Sequence, residues 1–357
     1  MLQNQREMCS LYNKIGEPSI ICKKLCREKM KNIYNRRKLC YTKTEPKDTE
    51  NREVLPMRFT ETIRKIDVHA HATAFHDYYP PHKNGYVFVS PEEVLAMYDQ
   101  IGIEKGVLLP LAACEAQMAP MTSEACKYLT TLHPDRFVWF CGVDARSLDN
   151  SPHADLGYLL EHYKSLGACG VGEVTTQLYA DAPYMDNFFA CCAEHEMPVL
   201  IHIAPQFGGG YGIVDELGLY RIEKMLKKHP KLQLIGHSQP FWSEISADVT
   251  DETRGHYPDT KVIPGRLVEL LRNYDNLYCD LSAGSGANAV MRDPEFTAQF
   301  FAEFADRILY GCDFCHPHNR HPYILNDFLN QMADDGMIDE PTYRKIVRDN
   351  AIRLLKL

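Results

Sequence analysis

The chain has 357 residues, 45% of them hydrophobic, and a formal net charge of −9, which suits a soluble globular protein with one large core or two modest ones. The charge is uneven: residues 1–56 carry 13 Lys/Arg against 7 Asp/Glu, and the remainder 26 against 41, so the acidic body gives no electrostatic reason to expect a nucleic-acid partner. No apolar run approaches the ~18 residues of a membrane-spanning helix, and candidates such as Val107 to Cys114 are broken by Pro110.

Residues 1–56 hold two basic clusters, Lys23-Lys24 and Arg36-Arg37-Lys38, then a polar stretch from Thr42 to Glu53 without hydrophobic periodicity. This reads as a basic, flexible N-terminal extension, with Met57 as an alternative natural start. The apolar run Ser19 to Cys22 is too short for the core of a secretory signal. Cys9, Cys22, Cys26 and Cys40 fall in the same segment, but no paired C-x-x-C spacing makes them a metal site. The thirteen cysteines, odd in number and widely spaced, read as reduced thiols, so the expected compartment is the cytoplasm.

From Arg64 onward, short apolar runs alternate with amphipathic segments. Eight runs read as strands: Lys65 to Ala72, Lys105 to Leu111, Phe137 to Asp144, Cys169 to Val174, Pro198 to Ala204, Lys231 to Ser238, Leu277 to Ala283 and Ile308 to Phe314. Between the first two, Ser90-Pro91-Glu92-Glu93 supplies an N-cap, a proline at the first helical position and acids in the first turn, with Gly102 as the stop. Apolar residues at three- and four-residue intervals predict further helices over Leu156–Leu166, Met185–His195, Leu219–Lys228, Arg266–Tyr274, Phe296–Phe304 and Ile324–Met332. Strict alternation of strand and helix predicts a parallel sheet, and eight units in about 300 residues fit a closed (β/α)8 TIM barrel. The domain is expected to span residues 57–357, with an extra C-terminal helix over Glu340–Leu357. No G-x-G-x-x-G follows the first strand, which counts against a dinucleotide fold.

In such a barrel the active site lies where the strands end. The first strand ends Asp67-Val68-His69-Ala70-His71; residues two apart share a face, so His69 and His71 are expected to point into the barrel mouth, with Ile66, Val68 and Ala70 turned to the helices and Asp67 on the inward face as deeper structural support. Two imidazoles at that spacing can hold one metal. His202 ends the fifth strand, His237 the sixth, Asp313 the eighth, and Glu173 the fourth.

His-x-His after strand one, His after strands five and six and Asp after strand eight resemble the amidohydrolase superfamily. The phrases around Ser90–Pro110, His133-Pro-Asp-Arg-Phe137, Tyr310-Gly-Cys-Asp313 and Asn350-Ala-Ile-Arg-Leu354 are similar to its amidohydrolase-related branch, which also contains aminocarboxymuconate-semialdehyde decarboxylase. The resemblance implies that His69, His71, His202 and Asp313 hold a divalent metal, zinc first, with manganese or another divalent ion as alternatives. His237 would support the ligands or polarise substrate, and Asp313 would move the proton. Gly170-Val-Gly-Glu173 resembles the glycine-glutamate turn of TatD-type hydrolases, so Glu173 is expected to bridge a second ion or to orient a ligand or substrate.

The loops after the strands should select a small-molecule substrate. Trp242 and Arg254 after strand six form a candidate wall with a cation, and His316, His318 and Arg320 after strand eight are candidate substrate contacts. The expected activity is metal-dependent hydrolysis of an amide, lactone or ester. Decarboxylation of an unsaturated or aromatic acid is the alternative, and a non-catalytic ligand-binding barrel a third reading. A homo-oligomer is compatible with all three.

Overall fold

The computed structural model describes residues 58–81, 85–116 and 121–357; the basic extension and its four cysteines lie outside the described residues. Eight parallel strands form the barrel: β1 (Lys65–Ala70), β2 (Ile103–Leu108), β3 (Phe137–Trp139), β4 (Val171–Val174), β5 (Val199–Ala204), β6 (Leu234–His237), β7 (Leu277–Asp280) and β8 (Ile308–Leu309). β1 to β3 form one ladder and β4 to β8 another. Two seams join them. Cys141 pairs with Val171 between β3 and β4, and Ala70 pairs with Phe314 while the Val68 amide donates to Tyr310 O between β1 and β8. Closure leaves no open edge, as the alternation predicts.

The principal helices return the chain to the next strand. α1 (Pro91–Ile101) has the expected capping box: Ser90 Oγ accepts from the Glu93 amide, and the Glu93 carboxylate accepts from the Ser90 amide. α2 (Ser123–Leu132), capped by Thr122, fills the one interval for which the sequence reading named no helix. α3 (Leu156–Ser165), α4 (Pro183–Glu194), α5 (Tyr220–Lys228), α6 (Arg266–Asn273), α7 (Pro294–Phe304) and α8 (His321–Asp334) follow within a turn of expectation. Further helices over Gln239–Ser243 and Ala283–Met291 lie in segments for which no helix was expected. The C-terminal segment is one run broken by a π-turn at Lys345–Asp349. Its Ala351, Leu354 and Leu355 join the interior apolar cluster, sealing the barrel where the strands begin.

That interior cluster includes Ile66, Val68, Val107, Leu109, Leu200, Ile235 and Leu309, so the facing expected for β1 needs correction. A bulge between Asp67 and Ala70, where three steps on β1 match two on β2, reverses the alternation. Ile66 and Val68 fill the barrel, and Asp67 points outward against α1, where Tyr98 Oη donates to it at 2.7 Å. Gly106, opposite Asp67 on β2, makes this possible: a Cβ there would lie 1.9 Å from Tyr98 Oη.

Gly106→Ala should displace Tyr98, strip Asp67 Oδ2 of its hydroxyl donor and lower stability by about 2–3 kcal/mol, read as a shift of the urea midpoint. Lys65 is buried, its ammonium donating to Ile101 O at 3.0 Å, and burial lowers its pKa to about 8. Between there and the unfolded value near ~10.4 the unfolded chain binds more protons, so this residue makes stability rise with pH across that window. Lys65→Met should flatten the rise in paired urea titrations; an unchanged slope would refute the assignment.

Candidate metal centre

The β1 bulge sets the site. His69 within it and His71 just past it both face the mouth, 0% and 3% exposed. The outward Asp67 anchors this strand end, Oδ1 accepting from the amides of His69 and Cys312 at 2.9 Å each. The Asp313 amide in turn donates to His69 O at 2.8 Å. Asp313 sits at φ 49°, a left-handed conformation that aspartate tolerates better than most residues.

His69 Nε2 and His71 Nε2 are 3.0 Å apart. Glu173 Oε2 lies 3.6 and 3.3 Å from them, and Asp313 Oδ1 3.7 Å from each. A tetrahedral ion with bonds of ~2.0–2.2 Å has ligand atoms about 3.3–3.6 Å apart, so His69, His71 and Asp313 are spaced to share one divalent ion. The second nitrogens are already committed: His69 Nδ1 to Asp280 Oδ2 at 2.7 Å, His71 Nδ1 to Leu109 O at 3.0 Å. With protons on both Nδ1 atoms, two Nε2 lone pairs face each other, an arrangement that a cation relieves and that metal-binding histidines share. The residues therefore fit a metal.

Charge argues the same way. Glu173, Asp280 and Asp313 converge here, and among the described residues no lysine or arginine pairs with them. Burial favours neutral His69, but the carboxylates of Asp313 and Asp280 outweigh it and raise its pKa well above the ordinary imidazole value. Glu173 is opposed by burial, yet contacts from His202, His69 and His71 hold its pKa well below the usual range. Asp280 is likewise held low against burial by His69 and His237.

The other predicted residues take distinct places. His202 Nδ1 lies 2.7 Å from Glu173 Oε1, and burial lowers its pKa despite that carboxylate. His237 points Nδ1 at Asp280 Oδ2 (3.1 Å) and Ser282 Oγ (3.0 Å), and its Nε2 stands 4.0 Å from Glu173 Oε1. Two donor groups compatible with an ion emerge among the described residues, His69/His71/Asp313 and His69/Glu173/His237; His202 stands beside the second through its contact with Glu173. Ser238, strained at φ 105°, locks β5 to β6 through Oγ, which donates to Ile203 O and accepts from the Ile203 amide.

Asp280 and Ser282 escaped the sequence reading. The signal was present: Leu277-Tyr-Cys-Asp280 ends β7 as Tyr310-Gly-Cys-Asp313 follows β8, and a carboxylate at a strand end is a candidate by position alone. Ser282 Oγ donates to Asp280 Oδ2 at 2.6 Å and lies 3.2 Å from His69 Nδ1.

The expected substrate wall needs correction. Trp242 is 1% exposed and donates its indole N–H to Asp280 O at 2.8 Å, supporting the site from behind because a buried indole needs an acceptor. Arg254, also 1% exposed, donates to Asp215 O and faces Glu244 at 3.4 Å, inside the protein. Arg320 lies over the Tyr323 ring at 4.7 Å on the exposed start of α8. His316 stacks on Tyr86 at 5.3 Å, and His318 meets the same ring edge-on at 4.8 Å. Tyr211, not anticipated, packs on His202 at 4.5 Å.

A family model described as Amidohydrolase matches residues 66–357. The fold resembles 2,6-dihydroxybenzoate decarboxylase from Rhizobium, with a TM-score of 0.53 and 18% identity over 82% of this chain and 98% of that one. It also resembles a dihydroxybenzoic acid decarboxylase from Polaromonas sp. JS666 with bound manganese and the inhibitor 2-nitroresorcinol (0.52, 17%, 82% and 97%). A third likeness is to a probable 2-pyrone-4,6-dicarboxylic acid hydrolase from Acinetobacter baumannii with citric acid bound (0.50, 15%, 82% and 100%). No curated protein matches the chain in sequence. At these identities the structural likeness speaks for the fold.

If Asp280 fixes the His69 ring, Asp280→Asn should weaken zinc or manganese affinity about 10–100-fold while the protein still folds. Competition against a chromogenic chelator measures this; unchanged affinity would remove Asp280 from the site.

Proposed function

We propose, from the premise that this chain belongs to the amidohydrolase family, that it is a metal-dependent hydrolase cleaving the C–N or C–O bond of an amide, lactone or ester in a small organic substrate. The observation that carries the reading is the division of the Glu173 carboxylate. Oε2 faces His69 and His71, while Oε1 faces His202 and His237. A carboxylate shared between two histidine pairs suits a bridge between two ions, an arrangement used to activate water and clamp a reacting group.

When bound, a divalent ion such as zinc or manganese supplies Lewis acidity and lowers the pKa of water from 15.7 toward about 7. Asp313, whose side chain is 23% exposed against 0% and 3% for His69 and His71, stands between the buried histidines and the open mouth. Its carboxylate is the group placed to accept the proton of the attacking water and return it to the leaving atom. His237 has Nδ1 committed to Asp280, so in the neutral ring Nε2 accepts. We therefore assign it as a ligand or base, in place of the carbonyl-polarising role expected from sequence. Ser282 and Asp280 hold the rings of His69 and His237.

Loss of carbon dioxide from an unsaturated or aromatic acid is the second reading, favoured by the likeness to the two decarboxylases. It makes no use of Glu173 as a bridge.

Metal analysis should give two ions per chain in the wild type and one in Glu173→Gln. Turnover of an amide and lactone panel in labelled water should place one heavy oxygen in the product acid. Asp313→Asn should cut kcat about 10²–10⁴-fold with metal content kept. Carbon dioxide release from aromatic acids, with no label taken up, would replace the hydrolase by the decarboxylase.

A further inference from the structure

The loop after β5, Gln206-Phe-Gly-Gly-Gly-Tyr-Gly212, has three consecutive glycines and is nevertheless pinned to its neighbours. Gln177 clamps it with both ends of its amide, Nε2 donating to Gly210 O and Oε1 accepting from the Gly208 amide, at 2.9 Å each. Just beyond, the short strand Ile213–Val214 pairs with β5 at Ile203 and Ala204. Gly212, at φ 115°, joins the two anchors, its amide donating to Thr175 O at 2.7 Å. A Cβ there would lie 2.7 Å from His202 O and 2.9 Å from His202 Cδ2, so glycine is what lets the backbone come this close to His202.

Tyr211 stands between these anchors, with its ring on the imidazole of His202 and 42% of the residue exposed. Burial first, then the charges of Glu173 and Asp313, act on its phenol. Its hydroxyl therefore lies in the field of the two carboxylates that flank the ion site. No hydrogen bond among the described residues engages that hydroxyl. A phenol, with an ordinary pKa of about 10, is protonated at neutral pH and can donate. Two other donors nearby are committed: Ser282 Oγ to Asp280, and Asn319 Nδ2 to the Asp313 carbonyl. Tyr257, after β6, is 57% exposed, and of the charged groups only Asp313 acts on it.

We propose that Tyr211 is a catalytic residue whose hydroxyl donates a hydrogen bond to the oxygen on which charge develops when water adds to the scissile carbonyl. The inference rests on the hydrolase reading. As the new C–O bond forms, the carbonyl π pair moves onto that oxygen, and Tyr211 stabilises it without surrendering its proton. When the pair returns, the C–N or C–O bond breaks and the leaving atom takes the proton held on Asp313. A hydrogen bond to an oxyanion is stronger than one to a neutral carbonyl, so the contact acts in the transition state more than in the bound substrate.

The test uses the metal-loaded full chain as wild type, Tyr211→Phe and Tyr257→Phe. Tyr211→Phe keeps the ring on His202 and removes only the hydroxyl. On the amide and lactone panel it should lower kcat about 10²–10³-fold with KM and metal content nearly unchanged, while Tyr257→Phe stays near wild type. A second readout needs no turnover. In calorimetric titration with methylphosphonate, a tetrahedral oxyanion, and with planar acetate, Tyr211→Phe should cut the preference for methylphosphonate about tenfold. An undiminished kcat, an unchanged preference, or the same losses in Tyr257→Phe would overturn the proposal. Loss of metal from Tyr211→Phe would also overturn it, making the residue a support for His202. Failure of the hydrolase reading looks different: no member of the panel is turned over, yet the preference for methylphosphonate is present and depends on the Tyr211 hydroxyl.

Discussion

The convergence of Glu173, Asp280 and Asp313 on His69, with no lysine or arginine among the described residues to balance them, is the constraint on which the rest of this structure depends. Burying an ion costs several kcal/mol even after relaxation, and three carboxylates at one place repel each other besides. Such a cluster is tolerable when positive charge enters it. Protonation of His69 supplies part of that charge, as its raised pKa indicates; a divalent ion supplies more and satisfies both facing Nε2 lone pairs. The polar interior at the barrel mouth thus costs stability, offset by the close-packed apolar layers below.

The same constraint explains the backbone around the site. Imidazoles must be aimed to within fractions of an ångström to share an ion, and strand alternation alone would have sent Asp67 inward with His69. The bulge in β1 separates them: Asp67 goes outside to tie β1 to β8 through the His69 and Cys312 amides, and His69 goes inside. The positive φ of Ser238, immediately after β6, and of Asp313, four residues beyond β8, re-aims the chain at the mouth. Strain sits where orientation matters and is absorbed by hydrogen bonds such as those between Ser238 and Ile203.

Much of this was legible in the sequence because periodicity and strand-end position are local properties. Eight apolar runs separated by helix-length intervals specify the barrel, and the histidines at strand ends specify its working face. The bulge was not legible. It is defined by register against β2, and the glycine that allows it, Gly106, lies 39 positions from Asp67 in the chain. Asp280 was missed for a different reason: a carboxylate ending a strand carries no motif until His69 and His237 are seen to turn toward it.

The arginines show where sequence reasoning stops. Arg254 and Arg320 are equivalent as letters, each in a loop or helix end after a barrel strand. What separates them is the fate of the guanidinium: enclosed against Glu244 and Asp215, or stacked on Tyr323. The metal machinery is written along strands whose geometry every (β/α)8 barrel shares, so it can be read from position. Substrate choice is written in loops, where the same residue type is scaffold or recognition element according to what the fold places beside it. The step from reaction class to substrate class therefore needs the tertiary structure.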